Sequence, residues 1–550
     1  MREHDGEQPD TERSREGVAL LSGEVLAADG CGPLRGDAAA AMIEAAWRSS
    51  GAAGVAALDG VFAVALRDAG HWLAHRDSLG LCGLYCRWTA EHGWQITTQL
   101  APIIRDAADS AVLDRRALHE YLRLLDIAPP HTLLRGVHAV GPGQLLRLEP
   151  ADPVPTELPQ PTLPRVRLTG FDDAVAELER RLQASIALCL QGASRPAVFL
   201  SGGIDSALLC ALAARPAPHT VALTVGFDDA GLDEAPVAAQ IAANLGLRHE
   251  VLRFSRAEYL AAFDRLAQGM DQPMADPAAM ATLLAFDHCR AHFDAVLDGT
   301  GAEAVGVMPP RHVRLAVGVC SRVPAMLRRR LVRVMARVPA LAGYTPILDF
   351  EHAAETLMRW RGFPRVAIEE LCGEPVSLAQ TTFYRTFARF GRGEHFLRCS
   401  ALDDAMPSDR LTQAMRLTGA CVRFPYRARD VDGFVRQLPT DWRWLPGQPK
   451  RILAELLARC VPRSIWAGPK RGFTFPLHEF LAGDNWALVR RHLLDGRWLH
   501  RGLLRPEVVR RHAQQYIGGE RRLMFCVWAL VVLGAWLDAH EDLTIPPPGA

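Results

Sequence analysis

Lysine is almost absent from this 550-residue sequence, in which Lys450 and Lys470 are the only two lysines among 62 basic residues and the rest are arginines. The 62 acidic residues balance the basic ones, so the formal net charge is zero. This balance argues against a general nucleic-acid-binding protein. Because arginine cannot easily replace a compact, titratable ammonium group, the two lysines are candidates for a chemical role.

Cysteine pairs and long apolar runs are also lacking. The twelve cysteines include no CxxC pair and no spacing typical of a zinc site, which favours small buried side chains in a reducing compartment. Residues 1–15 are polar and contain no apolar signal-peptide core. The most apolar run, Leu523–Leu537, is 15 residues long, against about 20 for a membrane span, and predicts a buried helix. We therefore expect a cytoplasmic protein without a transmembrane segment.

The length and an ordinary content of 49% hydrophobic and 23% charged residues predict a globular protein of several domains. Residues 1–16, rich in Glu, Asp and Arg, predict a disordered leader. Residues 17–149 contain short strand-like runs, including a predicted hairpin, and favour a β-rich α+β domain. Six prolines predict a linker over residues 150–168.

Residues 169–545 have a different pattern, in which strands alternate with helices. The amphipathic stretch Phe171–Leu190 is followed by the apolar strands Ala197–Leu200 and Thr220–Phe227, with a predicted helix after each. This alternation predicts an α/β fold with a doubly wound parallel sheet. Beyond about residue 310 the pattern is mostly helical.

The strongest motif is the loop Ser201-Gly202-Gly203-Ile204-Asp205-Ser206, between a predicted strand and a predicted helix. Two glycines let the backbone approach an anion, so that N–H groups and the hydroxyls of Ser201 and Ser206 can bind phosphate. A carboxylate beside phosphates is unfavourable without a cation, so Asp205 indicates a Mg²⁺ ligand bridging to pyrophosphate. The alternative is a tight structural turn. The spacing is not that of a P-loop, so transfer of a γ-phosphate is not indicated.

The loop resembles the pyrophosphatase loop of the asparagine synthetase family, which belongs to the ATP-pyrophosphatase amide ligases. Five further segments resemble that family in the same order, so that the likeness runs over residues 18–540: Leu58–Tyr85, Met270–Thr282, Leu297–Gly306, Pro449–Leu453 and Gly468–Leu481. The resemblance implies an ATP-pyrophosphatase domain with a helical C-terminal part, preceded by a glutaminase-like domain of the N-terminal nucleophile type. It also implies the reaction: ATP adenylates a carboxylate, pyrophosphate leaves, and an amine displaces AMP to form an amide.

The resemblance assigns roles to individual residues. Pyrophosphate and Mg²⁺ would be held by the loop and the acidic motif, through Ser201, Gly202, Gly203, Asp205, Ser206, Gly299 and Glu303. The backbone at Leu223 and Val225 would face the adenine, at the carboxyl ends of the strands. Lys450 would stabilise charge during adenylation and amide formation, and Lys470 would lie near the phosphates. The alternative for both lysines is an exposed surface position.

The sequence also departs from the family pattern. Arg2 stands where glutamine-hydrolysing members have a cysteine, and the first cysteine, Cys31, is internal, so we expect a degenerate glutaminase domain without glutamine hydrolysis. Glu303 is one methylene longer than the usual Mg²⁺-binding Asp. Thr300 replaces an acid used by ordinary asparagine synthetases, as in β-lactam-forming relatives, which argues against ammonia as the nucleophile.

Three other features remain open. Asp276, which precedes a proline, is either a helix cap or a substrate contact. Asp233 and Glu234 are best explained as acids that complement a helix dipole. In residues 311–337 arginines alternate with apolar residues, which indicates either a solvated helical face or a surface for an acidic peptide, a carrier protein or a membrane.

Three hypotheses follow. The first is an AMP-forming amide ligase that closes a ring within a small-molecule or peptide carboxylate substrate, similar to lasso-peptide macrolactam synthetases and β-lactam synthetases, with a leader peptidase as a candidate partner. The second is an asparagine synthetase that uses free ammonia. The third is a catalytically silent scaffold.

Overall fold

The computed structural model describes residues 17–27, 32–106, 111–159, 166–305, 362–376, 409–468 and 474–547, with shorter stretches between 315 and 385. The predicted leader 1–16, Cys31 and Lys470 lie outside the described residues.

Two antiparallel sheets form the N-terminal part. The larger has the order β2-β1-β3-β4-β8-β9 and the smaller β6-β5-β7. The strands are β1 Gly17–Ala27, β2 Gly32–Leu34, β3 Asp59–Asp68, β4 His71–Arg76, β5 Tyr85–Thr89, β6 Gly93–Thr97, β7 Val137–Ala139, β8 Leu145–Leu148 and β9 Thr156–Glu157. The helices are α1 Gly36–Ala56, α2 Leu100–Asp106 and α3 Arg115–Leu124.

The predicted hairpin is present between β3 and β4, where Asp68 pairs with His71. Ala69 and Gly70 both have positive φ, 48° and 82°, as a two-residue hairpin turn requires. β9 lies within the residues predicted as a linker and extends the larger sheet by pairing with β8.

A five-stranded parallel sheet forms the centre of the C-terminal part, with the order β12-β11-β10-β13-β14. Its strands are β10 Pro196–Phe199, β11 Val221–Val225, β12 Arg248–Leu252, β13 Ala295–Leu297 and β14 Val422–Arg423. The first helices of this part are α4 Phe171–Leu190, α5 Ile204–Ala213, α6 Ala235–Leu245, α7 Arg256–Gly269 and α8 Ala279–His292.

Both faces of the sheet are buried along its central strands β10, β11 and β13, as their continuous apolar sequences predict. Along β10, Ala197 belongs to one hydrophobic cluster and Val198 to another. The strand order changes direction at β10, which lies between β11 and β13. Connections leave this strand toward both sides, so a crevice opens at its carboxyl end, where the loop Ser201–Ser206 begins.

The rest of the chain is mainly helical. The helices are α9 Ala325–Ala336, α10 Arg365–Cys372, α11 Asp409–Thr418, α12 Arg429–Gln437, α13 Thr440–Arg443, α14 Arg451–Ala458, α15 Arg463–Trp466, α16 Leu477–Val489, α17 Pro506–Ile517 and α18 Met524–Ala539.

The helix α18 contains all of the predicted apolar run except Leu523, and its residues Cys526–Leu537 are all buried. Among the described residues, Arg521–Ala539 is the one stretch long and apolar enough to cross a membrane, and 67% of its most apolar 18-residue part is buried inside the protein. The packing confirms the prediction of a core helix.

The two parts of the chain pack against each other through polar contacts as well as apolar ones. The Tyr121 hydroxyl in α3 donates to the carbonyl of Ala529 in α18 at 2.8 Å. Asp271 accepts a bond from the Leu100 backbone at 2.9 Å. Apolar side chains from both parts also belong to one hydrophobic cluster.

Candidate active site

The loop after β10 is held in shape by its own hydroxyls. The Ser201 backbone N–H donates to Ser206 Oγ at 2.9 Å, and the Gly203 N–H donates to Ser201 Oγ at 3.2 Å. The two hydroxyl oxygens are 2.9 Å apart. A Cβ at Gly202 would lie 3.3 Å from Val237 in α6, so the glycine permits a close approach of loop and helix. The two serine hydroxyls thus hold the loop in shape. The sequence motif alone does not show whether the hydroxyls have this structural role or bind phosphate.

An ion pair joins this loop to the lysine segment. Asp205 lies in the first turn of α5, and its Oδ2 is 2.6 Å from Lys450 Nζ. The other oxygen, Oδ1, is buried with no hydrogen-bond partner among the described residues. Lys450 itself precedes α14 with a φ of 53°, a left-handed conformation that is uncommon for residues with side chains. A left-handed backbone conformation therefore holds the ammonium group beside Asp205, near the end of β10.

The acidic motif follows β13 and packs on the same loop. A Cβ at Gly299 would lie 3.5 Å from the Ser206 nitrogen. The Thr300 N–H donates to Asp298 Oδ1 at 2.7 Å, and the Gly301 N–H donates to Glu303 Oε2 at 2.8 Å. Burial raises the pKa of Asp298, although bonds from Thr300 and the charge of Arg410 oppose the shift.

Asp276 has a structural role that combines capping with charge pairing. Its Oδ1 accepts from the Ala278 N–H at 2.8 Å, next to the start of α8, as the cap alternative predicts. Its Oδ2 is 2.8 Å from Arg410 Nη1. Arg410 in α11 lines the cleft. Burial opposes its charge, but Asp276, Asp298 and Glu303 raise its pKa above the ordinary value.

The strand β11 supplies an apolar wall. Leu223 is buried, and its carbonyl accepts from the Leu200 N–H at 2.7 Å. Thr224 Oγ1 donates to the Leu200 carbonyl at 2.7 Å and contacts His249 Nε2 at 2.8 Å. The rings of Phe199 and Phe286 stack 5.8 Å apart in the same wall.

These elements enclose an open cleft of about 310 Å³, which is within the usual range for small-molecule sites. Eight of the predicted site residues line it: Ser201, Asp205, Ser206, Leu223, Val225, Gly299, Thr300 and Glu303. Lys450 forms an ion pair with the lining residue Asp205, and Asp276 forms one with the lining residue Arg410. Lys470 cannot be placed, because it lies outside the described residues.

Three charged residues of the lining, Glu234, Asp298 and Arg410, were not predicted for the site. Glu234 lines the cleft, whereas its neighbour Asp233 accepts from the Ala235 N–H at 3.1 Å and caps α6. Asp298 stands inside the acidic motif, so its position could have been noticed. Arg410 gives no such signal, because it is one of many arginines.

Within the described residues, no group of three His, Cys, Asp or Glu side chains is placed to hold a metal ion. This arrangement does not fit a structural zinc or calcium site. It fits Mg²⁺ bound with a nucleotide, which takes one or two carboxylates and keeps phosphate and water ligands. Asp205 and Glu303 are the two carboxylates that the sequence predicts for Mg²⁺, and both line the cleft.

A family model described as asparagine synthase matches residues 177–538, more than half of the chain. The chain belongs to the asparagine synthase family. It is therefore a ligase that forms carbon–nitrogen bonds and uses ATP. A second model, described as a glutamine amidotransferase domain, matches residues 26–156.

Relatives of this asparagine synthase family member are similar over most of the chain. Proteins of Mycobacterium tuberculosis and Mycobacterium bovis, both named as asparagine synthetase (glutamine-hydrolyzing), are 27% identical over 86% of this chain and 75% of theirs. Asparagine synthetase (glutamine-hydrolyzing) 1 of Bacillus subtilis is 22% identical over 86% of this chain and 76% of its own. NMN synthetase from Francisella tularensis, a solved structure, aligns over 46% of this chain and 94% of its own with 15% identity and a TM-score of 0.20, too low to support any transfer.

The described cysteines of the amidotransferase region are poor nucleophiles. Burial raises the pKa of the Cys82 and Cys86 thiols to about 12. A thiol with such a pKa stays neutral near pH 7, and the thiolate is the reactive form.

Proposed function

We propose that this protein is an AMP-forming amide ligase that adenylates a carboxylate and then closes an amide with an amine of the same substrate. The observation that carries the proposal is the convergence of the loop after β10, the acidic motif and Lys450 on one cleft. The substrate class is a small molecule or peptide that carries both a carboxylate and an amine.

Asp205 and Glu303 would hold Mg²⁺, which neutralises phosphate charge when it is bound. Backbone N–H groups at Gly202 and Gly203 and the start of α5 would bind pyrophosphate oxygens. The ammonium group of Lys450, held by Asp205, would stabilise the negative charge that develops during adenylation and acyl transfer. Phe199, Phe286 and β11 offer an apolar wall for the adenine.

The acidic motif supports an amine other than ammonia. Thr300 cannot act as an acid or a base here, but Asp298 lies directly beside it through the 2.7 Å backbone bond. Asp298, whose pKa is raised by burial, would therefore accept the proton of the attacking amine. Holding both reacting groups of one substrate in this cleft would remove a large entropic cost.

The N-terminal part would have no glutaminase activity. The buried, neutral thiols of Cys82 and Cys86 support this proposal. The part would instead support the synthetase sheet, through contacts such as the Tyr121 hydrogen bond to α18.

A second candidate function is asparagine formation from aspartate and free ammonia. The names of the mycobacterial and Bacillus relatives favour it. The replacement at Thr300 and the position of Asp298 favour ring closure.

The test is mass spectrometry after incubation with ATP, Mg²⁺ and either L-aspartate or short peptides encoded beside the gene, with and without ammonium. We expect AMP and a product lighter than its peptide by one water. Asparagine that appears only with ammonium would establish the second function, and no AMP from any substrate would contradict a ligase.

Lys450→Ala should abolish the product, whereas the adjacent Arg451→Gln, whose side chain lies over Phe171 outside the cleft, should keep it.

A further inference from the structure

Exposed apolar side chains are concentrated in one segment outside the cleft. Among the described residues, ten large apolar side chains are exposed, and eight of them fall between residues 315 and 341: Leu315, Val319, Met326, Leu327, Leu331, Val334, Val338 and Leu341. Met326 is 74% exposed and Val319 is 63% exposed. Single exposed apolar residues are ordinary, but a cluster of eight indicates an interaction surface. We refer to these eight residues as the 315–341 face.

The helix α9 is fixed with this face outward. Its arginine Arg328 is buried, as is Val332 one turn later. Arg328 Nη1 donates to the carbonyl of Phe350 at 2.8 Å, and its guanidinium lies 3.9 Å from the centre of the Phe350 ring. An ordinary surface helix would bury its leucines and expose its arginines. Here the anchored arginine turns Met326, Leu327 and Val334 toward the solvent.

The same segment is strongly positive. Between Glu303 and Asp349 the sequence contains eight arginines and no acidic residue, in a chain whose net charge is zero. Arg322 and Arg330 are exposed beside the apolar side chains. Two copies of this surface would repel each other, so charge disfavours a second copy of the chain as the occupant. An anionic partner would be attracted.

The shape of the face decides between the anionic partners. A peptide helix is usually bound when its apolar anchors enter a groove on the receptor. On this protein the apolar side chains themselves are exposed, with arginines alongside, on α9 and on the chain just before and after it. Exposed apolar residues flanked by arginines are typical of helices that lie in the headgroup region of a bilayer.

We propose that the 315–341 face docks this protein on an anionic membrane surface. The apolar side chains would enter the boundary between headgroups and acyl chains, and the exposed arginines would contact lipid phosphates. The attachment would be peripheral. This inference does not depend on which amide the enzyme forms.

The test is co-sedimentation of the full-length protein with vesicles of phosphatidylcholine alone or of equal parts phosphatidylcholine and phosphatidylglycerol. We expect binding to the anionic vesicles at least about tenfold stronger than to the neutral ones, and weaker binding in 0.5 M salt because the charges are screened. Equal binding to both vesicle types, or no binding to either, would overturn the proposal, and the latter would favour an acidic protein partner.

Two sets of variants separate the apolar from the electrostatic contribution. The triple variant Val319→Ser, Met326→Ser, Val334→Ser should lose binding to anionic vesicles, whereas Val154→Ser, an exposed valine elsewhere, should keep it. Arg322→Gln with Arg330→Gln should weaken binding several-fold, and the exposed pair Arg116→Gln with Arg459→Gln, which changes the net charge equally, should not. Equal losses in target and control variants would overturn the assignment of the face. Thermal unfolding of each variant would show that the fold is intact.

Discussion

At the scale of single residues, the two carboxylate oxygens of Asp205 have different surroundings in the candidate site. Oδ2 binds Lys450, and Oδ1 is buried and free among the described partners. We predict that Asp205→Asn lowers the affinity for ATP in the presence of Mg²⁺ by at least about tenfold, since loss of even an outer-shell partner of a metal costs about 10–100-fold.

Isothermal titration calorimetry with ATP, in Mg²⁺ or in EDTA, would measure this effect. The matched control is Asp172→Asn, an exposed first-turn aspartate in α4 with no contact to the cleft, which should bind as the wild type does. Undiminished Mg²⁺-dependent binding by Asp205→Asn would remove this carboxylate from the proposed metal site.

Some residues of the candidate site could be predicted from the sequence. Others could not, because their positions depend on how the helices pack. Lys450 could be singled out because lysine is so rare in this chain, and Asp205 because a carboxylate in an anion-binding loop needs a cation. Arg410 could not, because its place beside Asp276 depends on how α11 packs on α8. Glu234 was predicted only as a dipole residue; it does stand at the start of α6, and its place in the cleft lining depends on how that helix packs.

At the scale of elements, the apolar strands β10 and β11 and the helix α18 could be predicted, because burial on all sides leaves a continuous apolar run. The strands β7 and β14 have only three and two residues and carry no periodicity of their own. They exist because neighbouring strands offer unpaired backbone groups.

The strand β14 is nevertheless important, because it carries half of a buried ion pair between the two sheets. Arg423 Nε is 2.6 Å from Oε1 of Glu24 in β1, and both side chains are buried. Arg35, whose side chain is 58% exposed, binds the other oxygen of Glu24 at 3.0 Å. Burial opposes ionisation of Glu24, but bonds from Arg423 and the charges of both arginines lower its pKa.

We predict that Glu24→Gln lowers the free energy of unfolding by about 3–5 kcal/mol, because it leaves the buried Arg423 without a counter-charge. Arg35→Gln, which removes the exposed partner of the same carboxylate, should cost less than about 1 kcal/mol. Urea unfolding followed by circular dichroism would measure both. Similar losses for the two variants would mean that the buried pair contributes no more than the exposed one.

At the scale of the whole molecule, the two parts share one hydrophobic cluster. It includes Leu118, Tyr121 and Leu122 of α3 in the N-terminal part and Trp528 and Val531 of α18 in the C-terminal part. The Tyr121 hydrogen bond to Ala529 crosses the same boundary. Neither part can unfold without exposing apolar side chains of the other.

We therefore predict one cooperative unfolding transition for the whole chain, although it contains two family domains. ATP with Mg²⁺, which the C-terminal part alone would bind, should raise the midpoint of that single transition, by about 2.7 kcal/mol of stability at 100 times its dissociation constant. Differential scanning calorimetry with and without the nucleotide would measure this.

Tyr121→Ala, which opens a void at the boundary, should lower the midpoint while the N-terminal and C-terminal parts still unfold together. Two resolved transitions in the wild-type protein, with only one shifted by the nucleotide, would show that the amidotransferase-like part is an independent domain and that its contacts do not support the synthetase sheet.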